Sequence, residues 1–271
     1  MTPPRAEVIG DPIAQSKSPL IHRFWLDALR LSGDYRRVHV TPDALADYIA
    51  RSKDDPDWRG CNVTIPHKIA VMDLVDDPGD VRTSIGAMNT VVRASDGSLV
   101  GTNTDAGGFA APLAGLDLVD RDAVVIGAGG AARAVLFALA ERQVGRVTML
   151  NRSTEKAAAL LDRYGLQGEA LPLDAPLPPT ATLVVNTSAL GMTGQPPLDL
   201  DLSPLGSDAV AYDIVYAPLE TPLLAQARAR GMATVDGLEM LIGQAALAFA
   251  LFFGAEPPRE RDAELRALLT A

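Results

Sequence analysis

The sequence predicts an α/β fold in two parts, and three observations carry that prediction. Short apolar runs alternate with segments of helical spacing over most of the 271 residues, which is typical of parallel sheets covered by helices. The run at residues 123–126 is continuously apolar, as in a strand buried on both faces. A glycine-rich turn at residues 127–131 follows it directly. We therefore expect a doubly wound, Rossmann-like fold in the second half of the chain.

The composition is that of an ordinary globular protein, with 48% hydrophobic and 21% charged residues. A net charge of −10 argues against nucleic acid or an anionic membrane as the main partner. The N-terminus has no apolar signal core, and the longest apolar segment, residues 245–253, is too short to span a membrane. We expect this segment to be a buried helix in a cytoplasmic protein.

Cys61 is the single cysteine of the chain. One cysteine cannot form an internal disulfide, which fits a reducing cytosol. A catalytic thiol needs a neighbouring base, and the residues around Cys61 offer no obvious one. We expect a small, packed side chain at this position, and we expect no metal site.

The first half of the chain predicts a smaller α/β unit. Thr41-Pro42-Asp43 is typical of a helix start, because proline fits the first helical turn. Ser95-Asp96-Gly97 is typical of a hairpin turn. The expected elements are strands at residues 7–10, 35–40 and 60–65, helices at 20–31 and 41–51, and a hairpin of 87–93 with 99–100.

The second half alternates strands and helices more regularly, which predicts a parallel sheet. The proline-rich segment at residues 172–179 is predicted to be a surface loop. The helices from Leu238 onward have no strand after them, and we expect them to pack back on the first domain. The expected elements are strands at residues 123–126, 146–150, 183–185 and 210–212, and helices at 131–143, 154–164 and 221–230.

The glycine turn has the small-residue pattern of a dinucleotide site. Gly127 permits the tight turn, Gly129 lets a pyrophosphate approach the backbone, and Ala132 allows the helix to pack close to the strand. The N-terminus of that helix offers free N–H groups to the phosphates. A plain strand-to-helix turn is the alternative. The predicted cofactor contacts are Gly127, Ala128, Gly129, Gly130 and Ala131.

The end of the next strand selects between NAD and NADP. An NAD site has a carboxylate there to hold the ribose 2′-hydroxyl, whereas this chain has Asn151, Arg152 and Ser153. Arg152 can pair with a 2′-phosphate, and Ser153 and Lys156 can add donors. We therefore predict NADP as the cofactor, with a solvated helix start as the alternative role of these residues.

Lys68 and Asp105 each close a polar run ahead of the glycine turn. This order suggests a substrate domain before a nucleotide domain, in a hydride-transfer enzyme whose proton chemistry uses a Lys–Asp pair. Seven motifs in order, over nearly the whole length, resemble the shikimate dehydrogenase family. They are DPIAQSKSP (11–19), NVTIPHK (62–68), GAMNT (86–90), NTD (103–105), GAGGA (127–131), NRS (151–153) and DGLEML (236–241), the last running on through Gln244.

The resemblance implies a pocket for a small hydroxylated ring acid. Its carboxylate would be bound by Ser16 and Ser18, with help from Tyr216 and Gln244. Its ring hydroxyls would face Thr64, Lys68, Asn89, Asp105 and Gln244. The nicotinamide end of the cofactor would lie against Ile214 and Gly237. In isolation, Ser18 followed by Pro19 would instead be interpreted as a helix cap.

Some positions depart from the family pattern or fit it weakly. His67 stands where many members carry another residue, and we expect a solvent-facing neighbour of the lysine, with a second titrating group as the alternative. Gln15 and Ile214 replace residues that are often histidine and methionine. Asp80 occupies a position of cofactor contact in the family, but a solvated side chain in a Pro-Gly-Asp turn fits it equally well.

The reaction implied by the resemblance is the reversible, NADPH-linked reduction of 3-dehydroshikimate to shikimate in aromatic amino acid and chorismate biosynthesis. Lys68 would give the oxygen its proton in reduction and take it in oxidation. An unperturbed lysine, with a pKa of about 10.4, is a poor base at neutral pH. We therefore expect Lys68 and Asp105 to orient the hydroxyl and relay the proton together.

Three alternatives stay open. A quinate/shikimate dehydrogenase with relaxed cofactor use is one, although Arg152 and the serine pair argue against it. A methylenetetrahydrofolate dehydrogenase would need a pocket for a large pterin, which this polar inventory does not suit. A non-catalytic shikimate-binding regulator would be marked by loss of Lys68 or Asp105, and both are present.

The domain boundaries follow from these motifs. We expect a substrate-binding and catalytic domain at residues 1–104, an NADP-binding Rossmann domain at 105–237, and C-terminal helices at 238–271. The expected partner is the small-molecule substrate, and the expected assembly is a monomer or a homodimer.

Overall fold

The computed structural model describes residues 3–271 and divides the chain into two compact units. The first unit is the chain through Asp105 together with Ile242–Ala271, and the second is Ala106–Leu241. Each unit has its own sheet, of five strands in the first and six in the second. The two-domain α/β prediction is confirmed.

The sheet of the first unit is mixed. Its strands are β1 (Arg5–Gly10), β2 (Asp34–His39), β3 (Trp58–Val63), β4 (Thr90–Arg93) and β5 (Leu99–Thr102). They lie in the order β2-β1-β3-β4-β5. β1 runs parallel to β2 and β3, whereas β4 runs antiparallel to β3 and β5. The antiparallel pair β4–β5 is the hairpin that the Ser95-Asp96-Gly97 turn predicts.

The first unit also contains helices. They are α1 (Ser18–Leu29), α2 (Leu45–Lys53), the short α3 (Val81–Ser84), the start of α4 (Asp105–Ala110), the end of α8 (Gly237–Phe253), and α9 (Asp262–Thr270). Ala6 and Val8 of β1 pack with Tyr35 of β2 and with Ala248 and Phe252 of α8. Apolar side chains of the C-terminal segment therefore complete the core around β1.

The second unit is a doubly wound parallel sheet. Its strands are β6 (Asp122–Ile126), β7 (Arg146–Leu150), β8 (Gln167–Leu171), β9 (Ala181–Asn186), β10 (Val210–Asp213) and β11 (Ala233–Val235), in the order β11-β10-β9-β6-β7-β8. Every pairing is parallel. The helices are α5 (Gly130–Glu141), α6 (Thr154–Tyr164) and α7 (Pro222–Ala229). The strand order reverses between β6 and β9, and ligands of such sheets bind at that point.

Several elements differ from the sequence prediction. β3 ends at Val63 rather than Ile65, because the chain turns at Thr64 and leaves Ile65 68% exposed. β8 and β11 were not predicted. Their residues are mostly exposed or half-buried, so they lack the apolar run that marks a buried strand.

The long apolar helix α8 is not buried on all sides. Ala245 and Phe249 are fully buried, but Leu247 and Leu251 are 46% and 47% exposed. The prediction of a buried helix therefore holds for most of its side chains, while one face of the helix points to solvent. Within residues 3–271, no helix combines the length and apolar character needed to cross a membrane.

Candidate functional site

The lysine and the carboxylate singled out in the sequence form a direct ion pair in the first unit. Lys68 Nζ donates to Asp105 Oδ2 at 2.5 Å. The two side chains are only 15% and 8% exposed. Lys68 lies in the turn that follows β3, and Asp105 is the first residue of α4. A charge-assisted hydrogen bond in this partly dry environment fixes the direction of the ammonium group.

Asn89 holds the other oxygen of Asp105. Asn89 Nδ2 donates to Asp105 Oδ1 at 2.8 Å and to Thr104 Oγ1 at 3.0 Å. Asn89 Oδ1 accepts from the Thr104 backbone N–H at 2.7 Å. The Thr104 hydroxyl also reaches Gln244 Oε1 of α8 at 3.5 Å. The structure thus brings four predicted residues, Lys68, Asn89, Asp105 and Gln244, into one hydrogen-bonded cluster.

Ser16 and Ser18 form a second polar group in the first unit. Both are buried, and the Ser16 hydroxyl lies 3.3 Å from Ser18 Oγ and accepts from the Ser18 backbone N–H at 3.3 Å. Lys17 is the N-cap residue of α1, and its side chain makes no capping hydrogen bond. The helix-cap interpretation of Ser18 is therefore wrong, since its hydroxyl does not serve the helix end.

The turn between Thr64 and Lys68 is anchored at both ends. The Thr64 backbone N–H donates to Ile9 O at 3.0 Å, and the half-buried Thr64 accepts at its carbonyl from His67 N at 2.9 Å. His67 is 1% exposed, and its Nε2 donates to Val40 O at 2.7 Å. The expectation of a solvent-facing His67 is therefore wrong. This imidazole ties the lysine-bearing turn to the residue that follows β2.

The glycine turn of the second unit joins β6 to α5, as predicted. Gly127 has a φ of 100°, and a Cβ there would lie 3.0 Å from Thr187 Oγ1, so only glycine fits. Nothing lies within 4 Å of the Cβ position of Gly129, which leaves its backbone open to a ligand. Ala132 is fully buried against the sheet. Ala128, Gly130 and Ala131 are half-buried around the turn.

The residues predicted to select NADP lie at the start of α6. Asn151 Nδ2 donates to Ser153 O at 2.8 Å, which shapes the turn after β7. Arg152 and Lys156 are exposed. Ser153 donates its hydroxyl to Glu155 at 3.0 Å. The carboxylate of Glu155 does lie nearby, in the first turn of α6, but it already accepts a hydrogen bond from Ser153.

Ile214 and Gly237 are neighbours in the second unit. A Cβ on Gly237 would lie 2.4 Å from Ile214 O and 2.5 Å from Val215 O, so α8 begins in close contact with this backbone. Asp213 is fully buried just before Ile214 and accepts from Val215 N at 3.0 Å. Burial raises the pKa of Asp213. The segment after β10 is therefore held from two sides.

Three other residues considered in the sequence analysis, Cys61, Asp80 and Tyr216, differ in their exposure to solvent. Cys61 is fully buried, and burial raises the pKa of its thiol well above the ordinary value, which confirms a packed side chain. Asp80 is exposed at the start of α3. Tyr216 is half-buried in the second unit. Across residues 3–271, no group of three or more His, Cys, Asp or Glu side chains is arranged to hold a metal ion.

Several residues that build these sites have no predicted role from the sequence. In the first unit, Asn62 and Thr90 lie in the same hydrogen-bonded network as Asn89, and both stand in the polar runs that drew attention to Lys68 and Asn89. In the second unit, Thr187 donates to Ile126 O at 2.6 Å beside the glycine turn. The sequence indicates Thr187 less clearly, because this residue follows β9 and is far from the glycine turn in sequence.

A doubly wound sheet with an open glycine turn, in a chain that also carries a lysine–carboxylate pair, defines a dinucleotide-dependent dehydrogenase. Family models agree with this class. The model of the shikimate dehydrogenase substrate binding domain matches residues 8–91, that of shikimate/quinate 5-dehydrogenase matches 110–177, and that of the shikimate 5′-dehydrogenase C-terminal domain matches 237–264. The chain belongs to the shikimate dehydrogenase family.

Individual relatives support the same placement. A shikimate dehydrogenase (NADP+) from Sphingopyxis alaskensis is 70% identical, over 99% of this chain and 97% of its own. The crystal structure of shikimate 5-dehydrogenase from Thermus thermophilus in complex with NADP(H) and shikimate has a TM-score of 0.87 at 36% identity, covering 98% of this chain and 99% of its own. A quinate dehydrogenase from Corynebacterium glutamicum in complex with NAD has a TM-score of 0.88 at 32% identity, with coverage of 98% and 99%.

Proposed function

We propose that this chain catalyses the reversible reduction of 3-dehydroshikimate to shikimate with NADPH, as an oxidoreductase acting on a CH–OH group in aromatic amino acid and chorismate biosynthesis. The observation that carries the proposal is the hydrogen bond of 2.5 Å between Lys68 Nζ and Asp105 Oδ2, with Asn89 on the second carboxylate oxygen. The 70% identity to a shikimate dehydrogenase (NADP+) supports it over almost the full length.

The substrate residues divide by chemistry. We propose that the buried serine pair, Ser16 and Ser18, binds the substrate carboxylate, because small hydroxyls can donate to both of its oxygens. Tyr216 and Gln244 would add donors. The ring hydroxyls would be bound by Thr64, Lys68, Asn89, Asp105 and Gln244. A site built from polar groups rejects analogues that lack the matching hydroxyls.

The second unit fits NADP. Gly129 has no neighbour at its Cβ position, and the first turn of α5 carries no acidic residue, so its N–H groups are available to a pyrophosphate. The exposed Arg152 would hold the 2′-phosphate, with Asn151, Ser153 and Lys156 beside it. Ala128, Gly130 and Ala131 would complete the turn, and Ile214 and Gly237 would border the nicotinamide. When bound, NADPH supplies the hydride.

Lys68 controls the proton. An ammonium group has three donors, so Lys68 can keep its hydrogen bond to Asp105 and still give a proton to the ketone oxygen as that oxygen becomes a hydroxyl. Asp105 orients the ammonium group, and Asn89 orients Asp105. In the oxidation direction the same pair accepts the proton of the hydroxyl. The partly buried pair acts as a relay rather than as one free base.

The test is a paired measurement of substrate and cofactor use. The oxidation of NADPH is followed by its absorbance with 3-dehydroshikimate, and the reverse reaction is measured with shikimate and quinate, each with NADP and NAD. We expect the highest kcat/KM with shikimate and NADP. A preference for quinate and NAD would favour the activity of the Corynebacterium relative, and no turnover with any pair would indicate a binding protein.

We also propose that the protein works in the cytoplasm as a monomer or a homodimer, without nucleic-acid or membrane partners. The net charge of −10 disfavours polyanionic partners. The polar cluster around Asp105 comes from one chain and one unit, so no second copy is needed to build it. Sedimentation velocity would distinguish the two assemblies.

A further inference from the structure

Tyr35 is a buried residue of β2 that the reaction scheme does not use. It is fully buried, and its ring is stacked on His22 with centroids 3.8 Å apart. Its hydroxyl donates to Asn62 Oδ1 at 2.6 Å. Burial raises the pKa of Tyr35, so the hydroxyl stays protonated and remains a donor. A side-chain hydrogen bond with Ser18 acts in the opposite direction and lowers the pKa of Tyr35. The Tyr35 hydroxyl therefore lies next to the serine pair.

The hydrogen bonds beyond Tyr35 have a fixed direction. Asn62 Oδ1 is occupied by the tyrosine, so the Asn62 amide N–H groups face the other way and donate to Thr90 Oγ1 at 3.0 Å. The Thr90 hydroxyl, which already accepts from Asn62, donates to Asn89 Oδ1 at 3.0 Å. Each member thus accepts from the previous residue and donates to the next.

The chain of donors ends on the reacting pair. Asn89 Oδ1 accepts from Thr90 and from the Thr104 backbone, so Asn89 Nδ2 must point to Asp105 Oδ1, at 2.8 Å. Asn62, Thr90, Asn89 and Asp105 are all at most 5% exposed. Hydrogen bonds aligned in one direction and shielded from water polarise one another and strengthen the last bond of the series.

We propose that Tyr35 is a positioning residue that, through Asn62, Thr90 and Asn89, orients the Asp105 carboxylate toward Lys68. This inference rests on the proposed function. It gives a role in turnover to a tyrosine that is outside the predicted substrate-binding residues. It also connects the surroundings of the serine pair to the lysine–carboxylate pair. Within residues 3–271, Tyr35 makes no direct hydrogen bond to Lys68 or Asp105, so its effect must pass through the residues between them.

The chain offers a matched control. Tyr48 is also buried, at 8% exposure, and its hydroxyl also makes a hydrogen bond of 2.6 Å, but to Glu7. Glu7 is bound by Arg5, Arg36 and Trp58 and lies outside the donor chain. Because Tyr48→Phe removes a donor from a buried carboxylate, we expect it to lower the melting temperature at least as much as Tyr35→Phe does.

The experiment measures kcat, KM and melting temperature for four variants, which are Tyr35→Phe, Tyr48→Phe, Thr90→Val and Thr90→Ser. Tyr35→Phe is then also measured in the Asp105→Asn background. We expect Tyr35→Phe to lower kcat about fivefold with less change in KM, and Tyr48→Phe to keep kcat within about twofold despite its stability loss. In the Asp105→Asn background, Tyr35→Phe should change the residual kcat by less than about 1.5-fold, because the carboxylate that it positions is gone. The third and fourth proteins are Thr90→Val, expected to lose kcat like Tyr35→Phe, and Thr90→Ser, expected to recover most of it.

Each other outcome overturns the proposal. Equal kcat losses in Tyr35→Phe and Tyr48→Phe would reduce Tyr35 to a structural residue. A Tyr35→Phe effect that persists in Asp105→Asn would show that it does not act through the carboxylate. A wild-type protein without turnover of 3-dehydroshikimate would refute the proposed function and this inference together, whereas an active wild type with indistinguishable tyrosine variants would refute the inference alone.

Discussion

One charged side chain, Arg152, is the residue that we propose selects NADP over NAD. Arg152 is exposed at the start of α6, and no ion pair of the described residues involves it. A guanidinium group matches the geometry of a phosphate and makes bidentate contacts with it. Its charge is therefore available to the group that distinguishes NADP from NAD.

Arg152→Ala should lower kcat/KM with NADPH by roughly 10- to 100-fold, since a hydrogen bond to a charged group contributes about 1.5–3 kcal/mol. Turnover with NADH should change by less than about twofold, because NADH lacks the 2′-phosphate. Steady-state kinetics with both cofactors measure the difference. Arg163→Ala, at the other end of the same helix, is the control. Parallel losses with NADPH and NADH would contradict the assigned role of Arg152.

A buried histidine makes the first unit sensitive to acid. His22 is fully buried, and neither ring nitrogen has a hydrogen-bond partner among residues 3–271. Burial lowers the pKa of His22 to about 3, from an ordinary value of 6.5. The folded state therefore binds this proton less readily than the unfolded state. The stability contributed by neutral His22 is present above pH 6.5 and is lost progressively as the pH falls toward 3.

Replacing His22 should remove that dependence. Between about pH 7.5 and about pH 5, the free energy of unfolding of the wild type should fall by roughly 2 kcal/mol more than that of His22→Phe. Urea unfolding at the two pH values measures it. His39→Phe, which removes an exposed histidine whose ring lies 2.8 Å from Asp11, is the comparison variant, and it should not reproduce the difference between the wild type and His22→Phe. Identical pH dependence in the wild type and His22→Phe would show that His22 does not carry the effect.

At the scale of elements, the two candidate sites form where strands end and short turns are held by side chains. The turn after β3 carries Thr64 and Lys68 and is tied down by buried His67. The turn after β10 carries Ile214 and is held by Asp213 and by the close contact with Gly237. Strand ends give such turns a rigid base, which catalytic and binding residues need.

Gly237→Ala tests the second turn. A Cβ at this position would lie 2.4 Å and 2.5 Å from two backbone carbonyl oxygens, which cannot move as a flexible side chain could. We expect the variant to lose about 1–3 kcal/mol of stability and to bind NADP more weakly, as measured by thermal unfolding with and without NADP. Gly115→Ala, whose Cβ would meet nothing within 4 Å, is the control. Unchanged NADP binding in Gly237→Ala would show that the close packing of Gly237 on the turn after β10 is not needed for the cofactor site.

Sequence patterns predicted these elements unevenly, for physical reasons. β6 and β7 are short apolar runs and α6 has helical apolar spacing, and all three were predicted within a residue of their observed bounds. β8 lacks that signal because most of its side chains are exposed. The burial of His67 could not be foreseen, because its hydrogen-bond partner, Val40 O, lies in a segment distant in sequence. Tertiary contacts of this kind leave no local pattern.

At the scale of the whole molecule, the family and the order of the two units were predictable because the motifs run along nearly the full chain. The polar cluster around Asp105 was predicted in part: Lys68, Asn89 and Gln244 were named, and the structure places them in it. The donors behind them, Tyr35 and Thr90, were not. They act through other residues, and a sequence shows their identity without showing their hydrogen bonds.

We predict that one side chain in 271 residues, that of Lys68, controls the proton of the reaction. The most direct test is Lys68→Ala, assayed for NADPH-linked reduction of 3-dehydroshikimate and for shikimate binding, beside Lys53→Ala, an exposed lysine of the same unit. Loss of a positioned proton donor should lower kcat by about 10²- to 10⁴-fold, with a much smaller change in the dissociation constant of shikimate. Lys53→Ala should match the wild type. A Lys68→Ala enzyme with near-normal kcat would contradict the mechanism.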